Sequence, residues 1–296
     1  MEVARPRYIV VTWRHFYSRP PLVVCDMPAR SLTKNVKAHN GYFGHDKCTR
    51  RGCWRGRMIY PKIDAPLRTD ASFRDMEQPE HHNGASPFME LEGLGMVSQF
   101  PVDPMHCVYL GVVRKLLRYW TQKGPRCVRL PSAKVAELSE NLNAVKSSMP
   151  RDFSRHPRVM RKREHWEATE CRYFLLYAAP VVLKSVLPRH IYVHYMCLHV
   201  AIRILTCVSS SAQMITYAES LLECFVRETG CLYGEEAVVY NVHALAHLVN
   251  DVRRLGALES FSMLPLGEPP RHAKTHAEVR SLTSCTALEG ALRESM

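Results

Sequence analysis

The sequence lacks several features that would place a protein quickly in a broad class. Its longest apolar stretch, 191–208, is interrupted by His194, His199 and Arg203, whereas a membrane-spanning helix needs about 20 mostly apolar residues. The N-terminus has no apolar segment typical of a signal peptide, and we find no internal repeat or low-complexity tract. We therefore expect an intracellular or nuclear protein that is neither secreted nor membrane-bound.

A regular cysteine framework and an excess of acid are also missing. The 11 cysteines are an odd number without the even spacing of a disulfide scaffold, so we expect reduced thiols, most of them buried as small apolar side chains. There are 40 Lys and Arg against 28 Asp and Glu, a net charge of +12. This charge favours a polyanionic partner, DNA first, although it could also serve solubility alone.

Composition and apolar periodicity divide the chain into four zones. They are a segment of short β-type runs and basic loops (1–60), a loop-rich connector (61–105), a helical region (106–266) and a polar tail expected to be disordered (267–296). The predicted fold class is therefore α+β and mainly α.

Two pairs of residues have the spacing of zinc ligands. His45-x-x-Cys48 has the two-residue gap that lets two side chains bind one tetrahedral ion. His243 and His247 are four residues apart, which places both imidazoles on one helix face. One interpretation is a zinc site made of these four residues. The alternative is an ordinary helix with histidines at the border of its apolar stripe and a buried Cys48.

Three further residues are candidates for chemistry at the ends of predicted elements. Asp26 follows the apolar run LVVC, where a carboxylate can face a substrate or form a turn or a helix cap. Asp103 and His106 precede an amphipathic helix; they could share a cavity, but Asp103 is also a suitable N-terminal capping residue. In a later apolar helix, Glu170 and Arg172 predict a buried or interfacial polar pair, a structural salt bridge rather than a catalytic one.

The order of several motifs resembles that of a transposon-encoded family. The motifs are CDMPAR, HNGYFGHDKC, SQFPVDPMHCVYLG, HWEATECRYFLLY and YNVHALAHLVNDVRRLG, and they resemble the transposase-domain proteins of the CACTA (En/Spm-like) group and their Chapaev and Mirage relatives. The resemblance runs from about residue 20 to about 266. It implies an RNase H-like core, here a partial remnant, interrupted by a large helical insertion.

In that family, three carboxylates and two Mg²⁺ or Mn²⁺ ions cut and join DNA. The resemblance makes Asp26 the second catalytic carboxylate, matches Asp103 and His106 to an Asp/Cys-x-x-His signature, and leaves Glu268 one position from the Glu of a Phe-Pro-Phe-Glu motif. We expect the family's first Asp, upstream of the strand before Asp26, to be missing. His45 also stands where the family usually has the first Cys of Cys-x-x-Cys, an exchange that a zinc site accepts.

Loss of even one oxygen ligand from a two-metal site costs orders of magnitude in rate. The resemblance therefore implies a catalytically inactive fragment that binds DNA through the basic segments Lys47–Arg57 and Arg151–Arg163. Two alternatives are a helical protein-interaction module derived from a transposase and a decaying reading frame without selected function. The exposed edges of an incomplete sheet also leave self-association open.

Overall fold

Helices dominate the computed structural model, which describes residues 9–12, 22–146 and 158–264. The strands are few and short, so the predicted class, α+β and mainly α, is confirmed. The predicted tail 267–296, with Glu268, lies outside the described residues, as does the 151–157 part of the basic connection.

The strands form two separate antiparallel pairs. Strand β1 (Ile9–Thr12) pairs with β2 (Leu22–Cys25), and the short strands β3 (Cys53–Trp54) and β4 (Met58–Ile59) form a hairpin. Helix α1 (Met27–Thr33) follows β2 directly, and α2 (Asp70–Arg74) lies in the connector. The connector also contains the short 3₁₀ turns Pro79–His81 and Pro87–Glu90.

The helical region begins with a continuous helical segment, 105–123. It contains the π-helical turns Met105–Val113 and Tyr119–Lys123 on either side of α3 (Arg114–Arg118). The remaining α-helices are α4 (Ser132–Lys146), α5 (Ala168–Tyr173), α6 (Ala179–Val182), α7 (Arg189–Thr206), α8 (Ala212–Tyr233), α9 (Tyr240–Ala244) and α10 (Leu248–Leu255). A π-helical stretch (Phe174–Ala178) joins α5 to α6, and 3₁₀ turns include Met160–His165, Leu245–His247 and Leu258–Phe261.

Strand β2 lies between two hydrophobic clusters because its side chains alternate between two faces. Val24 joins the large cluster built by the helical region, together with Met58 and Tyr60. Val23 and Cys25 join a smaller cluster with residues of α1, α2 and the connector. Strand β2 is thereby packed onto the helices rather than standing apart from them.

Two expectations about side chains are wrong. Among the described cysteines, all free, only Cys25, Cys48, Cys107 and Cys171 are buried. Glu170 and Arg172 do not pair with each other: Glu170 accepts hydrogen bonds from main-chain N–H groups, and Arg172 binds Glu259 at 2.8 Å. They diverge because residues two apart on a helix point to different faces. In the described part of the chain, no helix has the length and apolar character needed to span a bilayer.

Candidate metal centre

Four side chains that could bind a metal ion converge in the interior from two distant segments. His45 and Cys48 lie in the loop before β3, and His243 and His247 lie in α9 and the 3₁₀ turn that follows it. Each offers one ligand atom, these atoms all lie within 4.8 Å of one another, and all four residues are buried. The group predicted from sequence spacing is therefore brought together by the fold.

The spacing of the ligand atoms is close to that of a tetrahedral site. Cys48 Sγ lies 3.2 Å from His45 Nδ1 and 3.4 Å from His243 Nε2. Zinc bond lengths of ~2.0 Å to nitrogen and ~2.3 Å to sulfur put neighbouring N and S ligands roughly 3.6 Å apart. A small expansion of the cluster would therefore accommodate an ion.

The β3–β4 hairpin orients His243. Tyr60, next to β4, donates its N–H to Val238 O at 2.8 Å, and its carbonyl oxygen lies 2.7 Å from His243 Nδ1. With Nδ1–H donated to this carbonyl, Nε2 is left facing Cys48, the arrangement that fixes the tautomer of a metal-binding histidine. His247 Nε2 is buried without a hydrogen-bond partner, as expected of a nitrogen held for a ligand.

Glycine allows the tight loop that presents His45. A Cβ on Gly44 would collide with the main-chain carbonyl group of Ala38. After this turn, the segment pairs with the connector: Arg68 N donates to Lys47 O at 2.9 Å and Arg68 Nε to His45 O at 3.2 Å. The loop is therefore held by hydrogen bonds from Arg68 to its carbonyl groups at His45 and between its two ligands.

A buried ion-pair network surrounds Asp46, the residue after His45. Arg30 Nη1 and Lys34 Nζ lie 3.1 and 3.7 Å from Asp46 Oδ2, and the Tyr240 hydroxyl donates to the other carboxylate oxygen. Arg30 and Lys34 belong to α1 and its C-terminal end, whereas Tyr240 begins α9. Asp46 thus ties the ligand-bearing loop to the ligand-bearing helix.

The opposite charges in this network stabilise one another's ionised forms. Burial opposes ionisation of Asp46, but Arg30 and Lys34 hold its pKa well below the usual range. Burial lowers the pKa of Lys34 to about 8, with Asp46 acting in the opposite direction. Because the pairs are sequestered from water, loss of one charge would leave the others without compensation.

A second ion pair corrects part of the predicted DNA surface. Lys47 is 5% exposed, and its Nζ lies 3.0 Å from Asp251 Oδ1 in α10. The other Asp251 oxygen accepts from Val102 N at 2.8 Å. Lys47 therefore holds the loop against α10 and, together with Arg254 at 2.6 Å from the same oxygen, neutralises a buried carboxylate. Because Lys47 is buried, it is not free to contact DNA.

Burial sets the protonation of the candidate ligands. It lowers the pKa of His243 to about 4 and that of His247 to about 3, and holds that of His45 well below its usual range. Burial also raises the pKa of Cys48 to about 11. At neutral pH the imidazoles are neutral, as metal binding requires, and the thiol would release its proton to a bound cation.

Asp26 lies where the sequence placed it, directly after β2. It is the N-cap of α1, and its Oδ1 accepts a hydrogen bond from Ala29 N at 2.8 Å. Pro28 occupies the first turn, where its missing N–H is tolerated. This position matches the capping alternative, since satisfying free N–H groups at a helix start requires no metal.

Asp103 is buried and engaged by several donors. It accepts hydrogen bonds from the main-chain N–H groups of Met105, His106 and Met263 at 3.2, 3.1 and 2.9 Å. The ring Nδ1 of His106 lies 2.5 Å from its second oxygen. Asp103 thus caps the 105–123 helical segment and anchors the chain near Met263.

Asp26 and Asp103 belong to adjacent segments, since Val23 N in β2 donates to Gln99 O at 2.9 Å. Within the described ranges, however, the only group of three or more His, Cys, Asp or Glu side chains with converging ligand atoms is the His/Cys cluster. Catalytic roles for Asp26, Asp103 and His106 stay predictions, as does one for Glu268.

Sequence reasoning missed the residues that support the cluster. Arg30 and Lys34 are buried and therefore require an anion such as Asp46 nearby, but no sequence pattern marks their burial. Tyr60 contributes a main-chain carbonyl, which no residue pattern marks. Comparison with protein-family models, curated proteins and solved structures finds no match to this chain.

Proposed function

We propose that His45, Cys48, His243 and His247 bind one structural zinc ion. Imidazole and thiolate donors suit Zn²⁺, whereas Mg²⁺ and Ca²⁺ prefer oxygen ligands. The observation that carries this proposal is the convergence of the four ligand atoms within 4.8 Å in the interior. With four protein ligands the ion has no open position, so it would crosslink the N-terminal loop to α9 rather than catalyse a reaction.

The metal content of the purified full chain tests this proposal. We expect about one zinc per chain by mass spectrometry, a lower melting temperature after exhaustive dialysis against EDTA, and recovery on adding Zn²⁺. Cys48→Ser and His247→Gln should lose the zinc. His194→Gln replaces a buried histidine outside the cluster and should retain it. A metal-free wild-type protein whose melting does not respond to Zn²⁺ would refute the proposal.

We further propose that the protein is a transposase-derived DNA-binding protein that works in the nucleus. The net charge of +12 supports this proposal, as do the exposed arginines Arg51, Arg55, Arg57 and Arg161 of the two predicted basic segments. Such side chains contact phosphates without reading sequence, so the expected binding is nonspecific and depends on salt.

We also propose that this DNA-binding protein does not cut DNA. Two-metal catalysis requires several carboxylate oxygens that are free to bind Mg²⁺ or Mn²⁺. Asp26 caps α1 and Asp103 is engaged by four donors, which supports inactivity. Incubation of a labelled duplex with the protein and either metal should give no strand cleavage. Cleavage that disappears in Asp26→Ala would reverse this conclusion.

DNA binding is tested by anisotropy of a fluorescent duplex over a range of salt concentrations. The logarithm of affinity should fall linearly with that of salt concentration, with a slope of about −0.9 per phosphate contacted. Arg51→Gln combined with Arg55→Gln should make the slope shallower, and Lys184→Gln, an exposed change outside the basic segments, should not. Salt-independent binding, or none, would reject the proposal.

The alternative of a protein-interaction module is favoured by exposed apolar side chains in and after the turn between α7 and α8. Val208, in the turn between α7 and α8, is 91% exposed, and Met214 and Tyr217 on α8 are 44% and 57% exposed. Partners held by such a surface would dissociate little on adding salt, because apolar contacts are not screened. Sedimentation of the chain at low and high salt measures whether it self-associates and whether that association depends on salt.

A further inference from the structure

A strongly basic cleft lies on the side of the 105–123 helical segment. Its volume is about 610 Å³, within the range of small-molecule sites. Six basic residues line it, and we call this set the basic cleft: Arg57, Arg114, Lys115, Arg118, Lys123 and Arg163. None of them belongs to the His/Cys cluster.

Three parts of the chain build the basic cleft: the 105–123 helical segment, which also contributes Lys123 at its end, the β3–β4 hairpin and a 3₁₀ turn. Arg114, Lys115 and Arg118 lie on one face of α3, because residues three and four apart on a helix are neighbours. Arg57 comes from the turn of the β3–β4 hairpin, and Arg163 from the 3₁₀ turn Met160–His165. Like charges at these helical spacings destabilise a helix. Placing three cations on one face of α3 therefore lowers the stability of the helix, and packing alone gives no reason for it.

The positive charge of the cleft is poorly balanced. Glu164 is the one acidic residue among those that line the cleft. Across the part of the chain that the structure describes, Arg57, Lys115, Arg118 and Lys123 have no carboxylate within ion-pair distance, whereas Arg172 and Arg253 do. The protein itself therefore leaves most of the positive charge of the cleft without a counter-charge.

The environment of Lys115 is consistent with this imbalance. Burial, together with the nearby charges of Arg57 and Arg118, lowers its pKa to about 7, and Glu236 acts in the opposite direction. A bound anion would favour the charged ammonium. Arg114 and Arg163 each also have a buried Nε without a hydrogen-bond acceptor, so the donor capacity around the cleft is not used up by the protein.

We propose that the basic cleft binds a compact anion carrying several linked phosphate groups. Guanidinium groups bind phosphate oxygens in pairs, and a lysine adds a point charge. Six cations around one concavity match an anion that concentrates several charges in a small volume. A DNA backbone spreads its charges along a ridge and would place only part of them in such a cleft. This site shares Arg57 and Arg163 with the basic segments, but it does not require the DNA binding proposed above.

Tripolyphosphate is the probe, titrated into the full chain by calorimetry at constant ionic strength, with inorganic phosphate and a short DNA duplex as separate arms. We expect saturable binding of tripolyphosphate at least tenfold tighter than that of inorganic phosphate. The double variant Lys115→Gln/Arg118→Gln should weaken it at least tenfold. Lys184→Gln/Arg227→Gln removes the same charge at exposed sites outside the cleft and should leave the affinity within twofold.

Folding of each variant is checked by its melting curve. Arg57→Gln provides a second test if the double variant fails to fold, because Arg57 is exposed on the hairpin turn; it should weaken tripolyphosphate binding several-fold. Equal weakening by the cleft and control variants would overturn the proposal. So would duplex binding that depends on Lys115 and Arg118 without any binding of tripolyphosphate, which would assign the cleft to the nucleic-acid backbone.

Discussion

Asp46→Asn is the change that most directly tests how the candidate metal centre is held together. The substitution keeps the size of the side chain and its carbonyl oxygen but removes the negative charge that Arg30 and Lys34 share. Arg30 is 1% exposed and Lys34 is fully buried, so neither can turn to water for solvation.

The expected cost follows from what each cation can do. Lys34, with a pKa already lowered to about 8, can lose its proton when Asp46 is neutral. Arg30 cannot, since guanidinium stays protonated in proteins. Removing one partner of a buried pair typically costs about 3–5 kcal/mol. We therefore expect a loss of about 3 kcal/mol in the free energy of unfolding, with Arg30 as its main source.

Urea denaturation followed by circular dichroism measures this loss. With an m-value of about 3 kcal/mol/M, the midpoint should fall by about 1 M. Asp64→Asn is the matched control, because Asp64 is 73% exposed in its pair with Arg50 and surface pairs contribute about 0–1 kcal/mol. If Asp46→Asn costs no more than Asp64→Asn, the buried network does not hold the two ligand segments together.

Three further changes test other parts of the structure. Burial lowers the pKa of His194 to about 4, whereas the same imidazole in the unfolded chain has a pKa near 6.5. The free energy of unfolding should therefore fall by up to about 3 kcal/mol as the pH drops from 6.5 to 4. In urea titrations across this range, His194→Gln should reduce that fall. A Cβ at residue 111 would collide with the Asn241 side chain, so Gly111→Ala should cost about 1–3 kcal/mol by thermal unfolding; an unchanged melting temperature would contradict this close approach. Arg172→Ala should cost about 1 kcal/mol because its pair with Glu259 is only partly exposed, and in a double-mutant cycle Glu259→Ala should add little to it.

Local spacing was sufficient to predict the ligand set of the candidate metal centre. His45-x-x-Cys48 and the four-residue step from His243 to His247 fix which side chains can share a face, because turn and helix geometry is local. The same holds for Asp26 and Asp103, whose positions before helices predicted the caps that the structure contains.

The ion pairs of Asp46, Lys47 and Asp251 were not predictable in this way. Lys47 was assigned to a DNA-facing segment because it lies among arginines in the sequence, yet it is 5% exposed against α10. Charge along a sequence does not tell which side chains become buried, since that depends on which distant surface packs over them.

The sequence by itself determined the mainly helical class, the caps and the identity of the possible metal ligands, because periodicity, capping and ligand spacing act within a few residues. Only the tertiary structure decided that Cys48 and His243, 195 residues apart, lie 3.4 Å from each other. It also gathered basic residues of three separate elements, among them Arg57, Arg118 and Arg163, around one cleft. The physical reason is that contacts between distant segments are selected by packing and charge burial over the whole chain, which no local pattern encodes.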